Sequence, residues 1–221
     1  MPQVRDVGNY NEHYRRMRRD RRHHSGISIG QFPVSCPCHV CALFKSTEDE
    51  IHILHPFIRE GYERGERIVL LLDHAERNAR QEQMTGEGID AEEAQRSGGL
   101  EIITWGDAYL RHNRFDADSM LDLVKEILSS SKLRGFKRTR LWANMEWALS
   151  ETPGVDQLAL YESRLNYFLP LTDDAVVCVY NIDRFPPETI QDVVRAHPQV
   201  FEDGECGSNR LYEHPDDFCS H

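Results

Sequence analysis

Three cysteines and a histidine fall within six positions, Cys36-Pro37-Cys38-His39-Val40-Cys41. Thiolate sulfur and imidazole nitrogen are ligands that zinc takes tetrahedrally, and iron accepts the same soft donors. Cys36, Cys38 and Cys41 are therefore candidate metal ligands, with a further donor available from Cys206, His214, Cys219 or His221 in the tail. The spacing argues against this: C-x-C-x-x-C lacks the second, distant pair of a zinc knuckle, and in a strand Cys38 and His39 point to opposite faces. His39 and Cys41 share a strand face and, with Cys178 and Tyr180 of a later strand, could line one cavity. The competing reading makes Cys41 and Cys178 small core residues, as buried cysteines usually are. A redox switch between Cys36 and Cys38 would need lowered thiol pKa values, for which the sequence offers no cause.

Two further groups could do chemistry. Trp142, Glu146 and Trp147 follow an apolar run, and aromatic walls around one carboxylate suit a small organic or cationic ligand. The alternative is a core tryptophan beside a solvated acid. Glu162 and Asn166 stand one helical turn apart beside an apolar stripe, where they either reach the sheet or pair with water. His197-Pro198 reads as a helix end. No G-x-x-x-x-G-K-[ST] loop follows either of the first two strands, where "FKSTEDE" and "DHAERNA" stand instead. G-x-G-x-x-G, G-x-S-x-G and H-E-x-x-H are absent throughout. Without glycines to let backbone amides surround phosphate, the sequence argues against a phosphate-binding loop and so against nucleotide binding, and nothing demands an enzyme. A non-enzymatic protein is expected.

The elements that must position these residues follow from periodicity. "HVCALF" (39–44) reads as a buried strand, and Thr47 and Glu50 have capping-box spacing ahead of a helix carrying Ile51, Leu54, Ile58 and Tyr62. "RIVLLLD" (67–73), "LEIITW" (100–105), "TRLWANMEW" (139–147) and "AVVCVYNI" (175–182) supply four more strands. Helices fall between them: one from Ala75, one capped by Asp116 or Asp118, one across residues 155 to 168, and one opening at Pro186-Pro187 and running over 187–196. The tail from Asn209 is polar and irregular, with aromatics that can dock. Alternating strands and helices predict an α/β fold: a three-layer, mostly parallel sheet of five or more strands with helices on both faces. In such sheets ligands bind at the carboxyl ends of the strands near a topological switch point.

Apolar residues make up 39% of the 221 and charged residues 29%, as in soluble globular proteins. The longest apolar run, Ile68 to Leu72, is far too short to cross a bilayer, and no signal peptide is visible, so a cytoplasmic protein without membrane association is expected. Seven arginines against three acids give residues 1–24 a net charge of +4, leaving −15 on the remainder of a chain whose total is −11. So acidic a body repels nucleic acid, and direct DNA binding is disfavoured. The division expected is a basic arm and linker over 1–35, flexible and either a solvated tail or able to meet nucleic acid or an acidic partner, then one domain over 36–221. Six cysteines in a chain with enough apolar residues for a core point to reduced thiols rather than a disulfide framework.

The order "CHVCALF", "PFIREGYERGERIVLLLD", "GGLEIIT", "YLRHNRFDADSML", "MEWAL", "YESRLNYFL", "VVCVYNIDRF", "AHPQVF" and "NRLYEHPDDF" resembles the MEDS domain, the sensory domain of DcmR-type regulators, over roughly residues 35 to 219. The resemblance implies a RecA/KaiC-like fold without its phosphate-binding loop. It also implies a sensor of small one-carbon, halogenated or hydrocarbon-type molecules that acts in transcriptional regulation or signalling through a partner protein. His39 and Cys41 match a family landmark, whereas Cys36 and Cys38 do not. Where relatives commonly have Gly-Glu-Met, this chain has Ala143-Asn144-Met145, so an amide replaces a carboxylate at the end of the fourth strand. The expected ligand-binding residues are thus His39, Cys41, Trp142, Asn144, Glu146, Trp147, Glu162, Asn166, Cys178 and Tyr180. No cofactor is expected, the alternative being zinc on Cys36, Cys38 and Cys41. A metal- or thiol-dependent redox sensor and a pure interaction module stay open as other functions, as does self-association into a homo-oligomer.

Overall fold

The computed structural model describes residues 24–35, 38–86 and 88–218. Its centre is four strands, β3 (Cys38–Phe44), β4 (Arg67–Leu72), β6 (Thr139–Asn144) and β7 (Ala175–Asn181), in which every residue except Asn181 is buried. Continuous apolar sequence of this kind is what a sheet covered on both faces requires. With β5 (Leu100–Thr104) and β8 (Gln199–Glu202) they run parallel in the order β5-β4-β6-β7-β3-β8, and β9 (Glu205–Ser208) adds an antiparallel edge. The predicted mostly parallel sheet is therefore present, with seven strands. At four residues each, β8 and β9 are too short for alternation to reveal them.

Side-chain alternation along the strands makes two cores. Residues such as Cys41, Leu71, Leu141 and Cys178 meet α4 (Ala117–Leu133), α5 (Leu158–Leu165) and α6 (Pro187–Ala196) on one face. Val40, Leu70, Trp142 and Val177 meet α1 (Thr47–Glu63), α2 (Arg77–Gly86) and α3 (Ala91–Arg96) on the other. Asp116 caps α4, accepting from the Ser119 amide at 2.8 Å. The cap of α1 differs from the sequence expectation. Ser46, not Thr47, accepts from the Asp49 amide, and Glu50 turns inward and is buried. In the tail, α7 (Pro215–Phe218) follows Glu213, which is clamped by Arg195 through two contacts of 2.8 Å. Among the described residues no helix is long and apolar enough to cross a membrane.

The linker expected before Cys36 is corrected over 24–35. There β1 (His24–Ile29) and β2 (Phe32–Ser35) form an antiparallel hairpin that buries Ile27, Ile29 and Val34 completely in the α1 core. The basic arm over 1–23 lies outside the described residues, as do Cys36 and Pro37.

At the amino edge of the sheet a charge network pins β6 to α1. Arg140, fully buried, donates to Glu66 at 2.5 Å, to Glu60 at 2.7 Å and to the Phe57 carbonyl at 3.1 Å, while Arg138 reaches Glu66 at 3.0 Å. Gly61 lets this happen, since a Cβ there would stand 2.8 Å from Arg140 Cδ. Alanine in a helix normally gains about 1 kcal/mol over glycine. Arg140 is held at three points and cannot retreat, so Gly61→Ala should instead destabilise the domain by about 1–3 kcal/mol, the usual cost of overpacking. A urea melt with an unchanged slope checks this, and a stabilised variant would show that the arginine is free to move.

Candidate functional site

The register of β3 on β7 sets Cys41 opposite Cys178 and His39 opposite Val176, so His39, Cys41, Cys178 and Tyr180 share the face covered by α5 and α6. Helix α5 turns Tyr161, Glu162 and Leu165 inward, Asn166 follows as its C-cap, and His197 is the C-cap of α6. These elements converge on a polar cluster within an apolar layer. His39, Glu162 and His197 have no exposed surface, Cys178 has 1% and Asn166 5%. Glu162 is the centre. Its Oε1 accepts from the Tyr180 hydroxyl at 2.5 Å, and its Oε2 accepts from the Cys178 thiol at 3.3 Å. The same Oε2 lies 3.3 Å from His39 Nε2 and 3.4 Å from His197 Nε2.

The hydrogen bonds outside the cluster orient its rings and place a proton on Nδ1 of each histidine. Asn166 Nδ2 faces the Ala196 carbonyl at 2.7 Å and that of Ser163 at 3.0 Å, so Oδ1 is the atom that faces His39 Nδ1 at 2.9 Å, and the imidazole donates. His197 Nδ1 donates to the Val193 carbonyl at 2.6 Å. Both rings, 4.1 Å apart at their centroids, thus turn Nε2 toward Glu162 and Cys178. Burial, then the neighbouring His197, holds His39 below the ordinary imidazole value. Burial alone would raise Glu162, but His197 and His39 outweigh it, and the carboxyl lies below its usual range. The Cys178, Cys41 and Tyr180 groups are pushed well up, first by burial and then by Glu162.

The other predicted residues do not join this cluster. Trp142 lies on the opposite face against Phe57 and Phe44, and its indole donates to Glu50 at 3.0 Å. Asn144 Nδ2 donates to the same carboxylate at 3.3 Å, while its Oδ1 accepts from the Glu146 amide at 3.0 Å. Trp147 is on the α4–α6 face, stacked on Tyr109 at 4.7 Å, and Glu146 pairs with Arg184. Trp142, Glu146 and Trp147 therefore do not frame one pocket, because the two indoles are on opposite sides of the sheet. The acid that Trp142 meets is Glu50, which burial lifts to about 7. Beside it, at the carboxyl ends of β3 and β8, opens a cleft of ≈ 350 Å³, lined by Leu43, Phe44, Ile53 and Phe201 with Lys45 and Asp203.

The expected zinc ligands also part. Cys36 lies outside the described residues, and Cys38 and Cys41, three positions apart on a strand, are buried in different cores, so their thiols cannot meet one ion.

The sequence profile of MEDS, the MEthanogen/methylotroph, DcmR Sensory domain, matches residues 38–198. The chain belongs to this family. It is 23% identical over 165 residues to the transcriptional repressor DcmR of Methylorubrum extorquens, a match covering 74% of the chain and 59% of the repressor. The chain thus aligns with little more than half of that regulator. Among solved structures it is similar to a KaiC-like protein of the hyperthermophilic archaeon Pyrococcus horikoshii OT3, with a TM-score of 0.55 and 17% identity over 81% of this chain and 79% of that one. That likeness establishes a KaiC-like fold for this MEDS domain.

Sequence reasoning missed two residues of these sites. His197 read as a helix end, which it is, and only the packing of α6 on α5 brings its ring to Glu162. Glu50 read as half of a capping box. A signal existed for it, since the preceding Ser46 caps as well as Thr47 does, and a start one residue earlier turns Glu50 inward.

Proposed function

We propose that this MEDS domain reads a small, largely apolar organic molecule without transforming it, and passes its presence to a transcriptional or signalling partner. The observation that carries the reading is the cleft of ≈ 350 Å³ at the carboxyl ends of β3 and β8. Its wall joins Leu43, Phe44, Ile53, Ile182 and Phe201 with the polar Lys45, Asp49, His52, Glu202 and Asp203. Pockets of this size that combine apolar walls with polar groups hold small ligands, and the carboxyl edge is where sheets of this kind bind them. Membership of a family of sensory domains supports the regulatory role. The first turn of α1 supports a neutral ligand rather than a nucleotide: Glu48, Asp49 and Glu50 already complement the helix dipole and repel phosphate. One-carbon, halogenated and hydrocarbon-type compounds fit this chemistry. The thiol-sensor alternative gains nothing from Cys38, Cys41 and Cys178, all buried, because reactive thiols need exposure and a lowered pKa.

Thermal shift against a panel of such compounds tests the reading. A true ligand at a hundredfold its Kd should stabilise by about 2.7 kcal/mol, and Ile53→Lys, which places a charge in the cleft wall, should abolish the shift while leaving the apo melting point nearly unchanged. A panel without one saturable shift, or a shift indifferent to Ile53→Lys, would sink the proposed cleft.

A further inference from the structure

We propose that His39, Glu162, Cys178 and His197 form a tetrahedral binding site for a zinc-type divalent cation, enclosed between β3, β7, α5 and α6. Their donor atoms all lie within 4.8 Å of one another. Tetrahedral zinc, with bonds of about 2.0–2.3 Å to nitrogen, oxygen and sulfur, sets its ligand atoms roughly 3.3–3.7 Å apart. The structure gives 3.3 Å for His39 Nε2 to Glu162 Oε2, 3.4 Å for His197 Nε2 to the same oxygen, 3.3 Å for Cys178 Sγ to that oxygen and 3.7 Å for Cys178 Sγ to His39 Nε2.

A second observation points to a cation. With Nδ1 of each imidazole donating outward, to Asn166 Oδ1 and to the Val193 carbonyl, Nε2 is the ring atom turned toward the carboxylate in both histidines. His197 Nε2 is buried without a hydrogen-bond partner, because its approach to Glu162 lacks the alignment that a bond needs. Two ring nitrogens, a carboxylate oxygen and a thiol that converge in a dry interior give a cation its ligands already in place. The surroundings match what metal sites require, where an outer partner fixes each histidine tautomer and each carboxylate. Asn166 serves His39, the Val193 carbonyl serves His197, and the Tyr180 hydroxyl holds the far oxygen of Glu162. On binding, the Cys178 S–H bond breaks, its proton leaves to solvent and the thiolate donates its electron pair to the cation, with no change in oxidation state.

The inference goes beyond the sensory reading and uses none of it, so a metal titration answers it whatever the organic panel shows. Untagged full-length protein is refolded under reducing conditions with zinc or cobalt(II) alone. One equivalent should be retained, and the cobalt form should show a thiolate-to-metal charge-transfer band with the intense visible bands of tetrahedral coordination. Cys178→Ser should remove the charge-transfer band, and Asn166→Ala should weaken affinity by about 10–100-fold. Cys38→Ser, whose thiol lies on the opposite face, should keep stoichiometry and spectrum. No uptake by the wild-type chain, uptake without a thiolate band, or a band that survives Cys178→Ser would overturn the site. If Cys178→Ser fails to fold by circular dichroism, the wild-type cobalt spectrum decides alone.

Discussion

Replacing Glu162 by alanine should lower the stability of the domain by about 3–5 kcal/mol, the range found when one partner of a buried charged network is removed. The carboxylate accepts from the Tyr180 hydroxyl and the Cys178 thiol and faces both imidazoles, and none of these groups has water to turn to. Each donor left buried and unpaired costs about 1–3 kcal/mol, and truncation leaves a cavity besides. The direction is the same with a cation bound, since Glu162 is then a ligand. Glu162→Gln keeps the shape and an oxygen for Tyr180, so it should cost less, about 1–3 kcal/mol. Asp122→Ala breaks the ion pair with Lys125, whose side chains are 79% and 53% exposed, and should stay within about 0.5 kcal/mol. Urea melts of the three variants with a common slope test the ranking. An alanine variant within 1 kcal/mol of wild type would mean that Glu162 is not the keystone of the α5 packing.

What could be read from the chain, and what could not, follows from the range of the physics involved. Strand parity is local, so it placed His39, Cys41, Cys178 and Tyr180 on one face, and helical spacing placed Glu162 beside Asn166. Those rules hold wherever an element is regular. Trp142 and Trp147 fall on either side of the end of β6, where parity no longer applies, and the structure sends them to opposite faces. Cys38 and Cys41 show the converse: an odd separation within one strand already forbids convergence, whatever the residue types invite. His197 depends on how α6 lies against α5, and no periodicity encodes that. The β1–β2 hairpin escaped because Gly26 and Gly30, at φ of 69° and 60°, give a strand pair the composition of a linker.

Glu50 gives the domain a pH dependence near neutrality. Burial lifts its carboxyl to about 7, against opposing contributions from the Trp142 indole and Arg80, with Glu76 and Glu146 adding repulsion. A carboxyl whose pKa is higher in the folded state binds more protons there, so its stabilising contribution is complete below the unfolded value of about 4.5 and is lost as pH rises through about 7. A rise of this size corresponds to roughly 3 kcal/mol between those limits. Glu50→Gln keeps an oxygen for the indole and cannot ionise. Its stability relative to wild type should therefore climb by roughly 2–3 kcal/mol from pH 4.5 to pH 8, whatever fixed offset the amide introduces beside Asn144. Taking the difference between the two proteins cancels the titration of His39, Glu162 and every other shared group. Urea melts at half-unit steps of pH measure it, and a difference that stays flat across the window would place the Glu50 pKa near its ordinary value. The neighbouring residues Asp49 and Ile53 line the proposed cleft, so a rise of the kind expected would also put a proton taken up near neutral pH at the wall of the ligand site. Ligand affinity should then change across the same window in the wild type and stay level in Glu50→Gln, because binding that distinguishes the two protonation states must shift their balance.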